Sequence, residues 1–148
     1  MVRNSGTIEC FGLDEAGELE GANDDGGTDF VGIYAGFQNV CALHMNGRAE
    51  CWGNDTYGQV AGVNQFTGST FQSLSIGSGA ICGLLTDSTV RCWGKDEAGQ
   101  VNGPNGAGSG VAKMTTGPST TCLLFTDGTF RCYGAGAAFL NNDPWLHP

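Results

Sequence analysis

Charge is scarce in this 148-residue chain: only 14% of residues are Asp, Glu, Lys or Arg, and only 6 of those are basic. With 15 acidic residues the formal net charge is −9. Such a surface repels nucleic-acid phosphates and anionic membranes, so neither partner is expected. No stretch approaches the roughly 20 apolar residues of a membrane span. The start, Met1-Val2-Arg3-Asn4-Ser5-Gly6, has no apolar signal core, so no signal peptide is read in the chain as given. Close Cys-x2-4-Cys knuckles are missing and the two histidines, His44 and His147, are isolated, which argues against a zinc centre. No nucleophile elbow and no phosphate loop is found. The expectation is a non-catalytic chain without metal or cofactor. Amphipathic-helix patterning is also sparse.

Glycine is abundant, at 26 residues, as are turn signals. The dominant feature is repetition. Cys10-Phe11-Gly12, Cys51-Trp52-Gly53, Cys92-Trp93-Gly94 and Cys132-Tyr133-Gly134 recur at intervals of 41, 41 and 40. Cys41-Ala42-Leu43, Cys82-Gly83-Leu84 and Cys122-Leu123-Leu124 form a second series upstream. A third follows each aromatic-Gly pair, as in Asp55-Thr56-Tyr57-Gly58-Gln59-Val60 and Asp96-Glu97-Ala98-Gly99-Gln100-Val101. A fourth, exemplified by Phe71-Gln72-Ser73-Leu74-Ser75-Ile76-Gly77, precedes each hairpin.

Each unit reads as three short strands. The first ends at Gly36, Gly77 or Gly117, and the next two form a hairpin. Its turn is Asn46-Gly47, Asp87-Ser88 or Asp127-Gly128, residues suited to positive φ. Segments 61–70 and 102–110 are rich in Gly, Asn, Ser and Thr and read as surface loops. The expected fold is all-β, a partial propeller of about four tandem repeats in a single domain over 1–148. The repeats are a truncated 1–29, then 30–70, 71–110 and 111–140, with a tail at 141–148 that matches no repeat.

The register follows from the turns. A three-residue loop closed by Phe125 and Thr129 places Cys122 opposite Cys132, and the same count pairs Cys41 with Cys51 and Cys82 with Cys92. Alternation makes these non-hydrogen-bonded pairs, with Cα atoms about 4.5 Å apart, near enough for a disulfide. Three hairpin disulfides are expected, each worth about 2–3 kcal/mol at best. Reduced thiols packed as small buried residues are the alternative in a reducing compartment. The partner of Cys10 falls at position zero, so Cys10 is expected unpaired. Disulfides imply an extracellular or periplasmic setting, which agrees with the missing signal core if the chain is a piece of a larger exported protein.

The run Cys-Ala-Leu-x3-Gly-x3-Cys-Trp-Gly-x-Asp-x2-Gly-Gln from Cys41 to Gln59 resembles the repeat of the regulator of chromosome condensation superfamily. Its cysteine-bearing form is similar to that of bacterial secreted repeat proteins and plant crinkly-type receptor ectodomains. The repeat length resembles that of β-lactamase inhibitor protein II. The resemblance covers about residues 2–134 and implies a β-propeller, commonly of seven blades, that binds other proteins. This chain holds fewer repeats, and its last copy lacks the acidic residue and Gly-Gln after Tyr133-Gly134.

The recurring aromatics Phe11, Trp52, Trp93 and Tyr133 are expected between blades, with Gln59 and Gln100 satisfying loop backbone. Loop residues that vary between repeats suit specificity. By resemblance to the inhibitor's loops, Phe37 and Gln38, with Asn39 beside them, are the contact candidates. Tyr57 and Lys95 in the post-aromatic loops are secondary ones. Asp14, Glu15, Glu18, Glu20, Asp24, Asp25 and Asp29 could ligate calcium but lack a spaced loop signature, and read as a solvated acidic face. The function expected is a protein-binding propeller module. A glycan- or small-ligand-binding propeller, or a structural segment of a larger ring, is the alternative. Besides an unidentified protein, the expected partner is a second copy. Head-to-tail joining would cover the open end faces and the apolar residues Phe139, Leu140, Trp145 and Leu146.

Overall fold

The computed structural model describes residues 1–148 except 2, 4, 25 and 142–148. The tail residues Trp145, Leu146 and His147 lie outside the described part. Three antiparallel sheets follow one another. The first holds β1 (Phe30–Ala35), β2 (Asn39–His44) and β3 (Ala49–Gly53). The second holds β4 (Phe71–Ile76), β5 (Ala80–Leu85) and β6 (Val90–Gly94). The third holds β7 (Val111–Thr116), β8 (Thr120–Phe125) and β9 (Phe130–Gly134). Each is a propeller blade. Ahead of them, Arg3 N–H donates to Thr7 O at 2.8 Å and Glu9 N–H to Met1 O at 3.0 Å.

The register agrees with the turn count. Cys41 faces Cys51, Cys82 faces Cys92 and Cys122 faces Cys132. All three pairs are disulfides, each with a Cα–Cα distance of 4.0 Å. The closing pair is hydrogen-bonded, Phe125 N–H donating to Thr129 O at 2.8 Å. Main-chain bonding puts Glu9 opposite Met1, and Cys10 is a free thiol.

Four short helices are present, and two of them, over the first parts of 61–70 and 102–110, correct the reading of those segments as loops. The four are α1 (Glu18–Asp24), α2 (Gln59–Asn64), α3 (Asn102–Asn105) and α4 (Ala137–Asn141). Side-chain chemistry at both ends explains what apolar periodicity could not signal. At the start, Asp55 Oδ1 accepts from the N–H groups of Val60 and Ala61 at 2.7 and 3.1 Å. Asp96 Oδ1 does the same for Val101 and Asn102, and the Asp14 carboxylate for Leu19 and Glu20. These bonds satisfy donors that a helix start leaves without partners. At the far end, Asn23, Asn64, Asn105 and Asn141 each bond both main-chain groups of a cysteine on the outer strand: Cys10, Cys51, Cys92 and Cys132. Asn141, read from sequence as part of an unrepeated tail, therefore performs the repeat's clamp from a shortened spacing.

Helices α2 and α3 each pack on the outer strand of their own blade and on the aromatic of the next, and α4 packs on β9. A Cβ added to Gly62 would lie 2.3 Å from Trp93 Cδ1, and one on Gly103 2.3 Å from Tyr133 Cδ1. Gly21 abuts Trp52 in the same way. Trp93 also meets Phe66 and Phe71 edge-on, at centroid distances of 5.3 and 6.1 Å. Phe11 departs from this pattern: no described helix covers it, and it is 77% exposed. In α4, Phe139 occupies the position, two before the clamp asparagine, that is glycine in α1, α2 and α3. The glycine that lets a following aromatic approach is therefore missing there.

The core lies between blades. One cluster joins Leu43, Ala49 and Cys41–Cys51 to Phe71, Leu74 and Ile81. The next joins Leu84, Val90 and Cys82–Cys92 to Val111 and Leu123. Leu124 holds the same place in the third blade and is 38% exposed against 2% for Leu84. Beside it an open groove of about 280 Å³ is lined by Met114, Leu123, Leu124 and Phe130. A cavity of about 320 Å³ lies between the N-terminal segment and the first blade, lined by Phe11, Leu19, Ile33 and Val40.

Candidate interaction face

Two sets of loops meet at one end of the blades. The inner strands stop at Gly36, Gly77 and Gly117, whose N–H groups bond the carbonyls of Asn39, Ala80 and Thr120 at 2.9, 2.8 and 2.7 Å. Each bond closes a two-residue hairpin loop: Phe37-Gln38, Ser78-Gly79 and Pro118-Ser119. Glycine is required where the inner strands converge. A Cβ on Gly36 would lie 2.3 Å from Ile76 Cγ2, and one on Gly77 2.3 Å from Gly117 O.

The second set, after the aromatic-Gly pairs, is fastened to the first. Asn54 N–H donates to Gln38 O at 2.9 Å, Lys95 N–H to Gly79 O at 2.8 Å and Ala135 N–H to Ser119 O at 2.9 Å. The intervening Gly53, Gly94 and Gly134 have φ of 109°, 114° and 107°. A Cβ on any of them would lie 2.2 Å from the accepting carbonyl oxygen. Beneath them Gln59 and Gln100 are buried, their Oε1 accepting from Tyr57 N–H at 3.0 Å and Ala98 N–H at 2.9 Å. Glu18 takes this role before the first blade, accepting from Ala16 N–H at 2.7 Å.

Phe37 stands 72% exposed on this frame and Tyr57 49% exposed. Gln38 Oε1 accepts from Asn54 Nδ2 at 3.0 Å. Tyr57 and Lys95, from successive blades, are brought together: Lys95 Nζ lies 5.6 Å from the Tyr57 ring centroid and 3.0 Å from Glu97 Oε2. The hydrogen bond to the Glu97 carboxylate holds the Lys95 ammonium pKa above its ordinary value. Asn39 is placed differently from its loop neighbours. It begins β2, is buried, and donates from Nδ2 to Asn54 O at 2.7 Å, so it supports the face from below. Asn54 and Glu97 belong to the face but were not read from sequence. The signal available was their place in loops whose residues change from repeat to repeat.

The acidic residues are separately engaged. Asp14 caps α1, Glu18 bonds Ala16, and Asp29 faces His44. Among the described residues no three His, Cys, Asp or Glu side chains cluster as metal ligands. Asp25 and the Asp24 side chain lie outside the described part. No described helix is long and apolar enough to cross a membrane.

A family model for the regulator of chromosome condensation (RCC1) repeat matches residues 71–100. The ectodomain of the receptor kinase CR4 from Physcomitrella patens is similar at 28% identity and a TM-score of 0.68, over 90% of this chain and 37% of that one. The CRINKLY WD40 ectodomain of the Arabidopsis thaliana receptor kinase ACR4 gives 26% identity and a TM-score of 0.67, over 88% of this chain and 48% of that one. Yeast RCC1 (Prp20) shares the fold at 17% identity and a TM-score of 0.59, over 71% of this chain and 29% of that one. No curated protein matches the chain. The chain thus spans less than half the length of the structures it resembles. With the repeat motif, the blade geometry and these likenesses together, the chain is a run of RCC1-like repeats folded as part of a β-propeller.

Proposed function

We propose that this chain is a single-domain, non-catalytic module that binds another protein through the loop face around Phe37, Gln38, Tyr57 and Lys95. The observation that carries this reading is the exposure of Phe37 at 72% and Tyr57 at 49% on loops locked to each other by main-chain bonds. Large side chains held on a rigid frame bury much area at little entropic cost, which is how binding hot spots work. The module is proposed to work outside the cytoplasm, an assignment supported by its three disulfides and by its likeness to two receptor ectodomains. Prp20, of the same fold, was crystallised with Kap60 bound, an instance of protein binding by that protein.

The test needs a purified partner. Proteins retained from the extracellular fraction of the source are identified, purified and titrated against the chain. Phe37→Ala with Tyr57→Ala is expected to weaken binding by at least tenfold, roughly 1.4 kcal/mol. Met45→Ala, changing a residue exposed at the opposite turn, should leave it unchanged. Equal binding by all three chains defeats the proposal.

The homodimer is a finer proposal for the end faces. The Leu124 groove would receive a second copy on its strands, because α4 lacks the glycine that receives an aromatic. Light scattering should then give twice the 15.3 kDa chain mass, reverting to the single mass in Leu124→Glu.

A further inference from the structure

His44, at the end of β2, lies between two carboxylates. Its Nδ1 is 2.9 Å from Asp29 Oδ1 and its Nε2 is 3.4 Å from Glu50 Oε2. The side chain is 14% exposed, and its ring packs on Phe30 with centroids 4.5 Å apart. Asp29 precedes β1 and Glu50 lies on β3, so the imidazole touches three stretches of chain. A neutral imidazole has one N–H and turns a lone pair toward the second carboxylate; an imidazolium donates to both.

The other blades show that this arrangement is not part of the fold's routine. At the His44 position they carry Leu85 and Phe125; at the Asp29 position, Thr70 and Gly110; at the Glu50 position, Arg91 and Arg131. In the second blade the site is plain core, with Leu85 2% exposed. In the third, the Arg131 guanidinium lies 5.6 Å from the Phe125 ring centroid. All three positions change character together in the first blade, and they form one contact set.

We propose that His44 is a proton-operated strap. As an imidazolium it ties the segment entering the first blade to that blade's hairpin, and it slackens as the pH rises and the ring loses a proton. The other charge near the site is Arg48 in the turn, which acts on Asp29. The His44 hydrogen bond holds the Asp29 carboxyl pKa below its ordinary value. Asp29 therefore stays ionised above pH 5. The charged ring has both carboxylates beside it only in the folded chain. The strap's contribution is therefore present at low pH and lost as the pH rises. Two main-chain bonds at the joint report on it: Met45 N–H to Asp29 O at 2.8 Å and Phe30 N–H to Gly6 O at 3.1 Å.

The experiment is amide exchange by NMR at pH 5.5 and 8, with rates corrected for intrinsic exchange. In the unmodified chain, protection of the Met45 and Phe30 amides should fall several-fold between the two pH values, while that of the Phe71 amide, at the same place in the second blade, stays constant. His44→Leu restores the second blade's residue and should fold, with no pH dependence at Met45 or Phe30. Glu50→Gln, which keeps the shape and removes one charge, should reduce the dependence. Constant protection in the unmodified chain, or an undiminished fall in His44→Leu, overturns the proposal.

Discussion

Asn64 and Cys51 hold one another by both main-chain groups of the cysteine: Cys51 N–H donates to Asn64 Oδ1 at 2.8 Å, and Asn64 Nδ2 donates to Cys51 O at 2.9 Å. An amide side chain thus completes the outer strand as a further strand would. It also anchors α2, a helix of 6 residues, too short to be stable alone. Asn64→Ala leaves two main-chain groups without partners and should cost about 1–3 kcal/mol. Urea unfolding of the two chains measures the difference.

The helix glycines give a steric prediction. Gly62→Ala drives a methyl to 2.3 Å from Trp93 Cδ1, so the second blade must move off α2. Overpacking of this kind costs about 1–3 kcal/mol. Gly106→Ala, after α3, meets nothing nearer than 3.7 Å and serves as the control. Quenching of Trp93 fluorescence, followed with Trp52 and Trp145 replaced by Phe, should change in Gly62→Ala and not in Gly106→Ala.

The hairpin turns predict a gain. Ser88 has a φ of 63°, whereas Gly47 and Gly128 at the same turn position have 80° and 86°. A left-handed conformation is unfavourable for serine and free for glycine. Ser88→Gly keeps the main-chain bond from Val111 N–H to Ser88 O and should stabilise the chain by about 0.5–1 kcal/mol, read as a higher urea midpoint.

Acid should unfold the chain through its turn and cap aspartates. The hydrogen bonds from Thr89 and Thr129 hold Asp87 and Asp127 below the ordinary value of 3.8, and main-chain N–H groups of α1 do so for Asp14. A carboxyl with a lowered pKa in the folded state stabilises at neutral pH, and that stability is lost as the pH falls through the folded value. The urea midpoint should drop as the pH falls below about 4. Asp87→Asn with Asp127→Asn should flatten that drop; an unchanged curve would remove these turns from the account.

Sequence alone determined the repeat, the three-stranded unit and the disulfide register, because a tight turn and the two-residue period of a strand fix which cysteines face each other. It also marked Phe37 and Tyr57 as loop aromatics. Helices α1, α2 and α3 were not legible, since their signal is an aspartate at the start and an asparagine 13 residues after the preceding cysteine, and neither forms an apolar pattern. Asn39 could not be told from its exposed neighbour Phe37 until packing turned its amide inward to Asn54. Contacts between blades were decided only in three dimensions. Blade stacking sets Lys95 over Tyr57 and buries Leu84, while Leu124, at the same place in the repeat, is open. Local chemistry specifies a blade; which of its faces is covered depends on what is stacked against it.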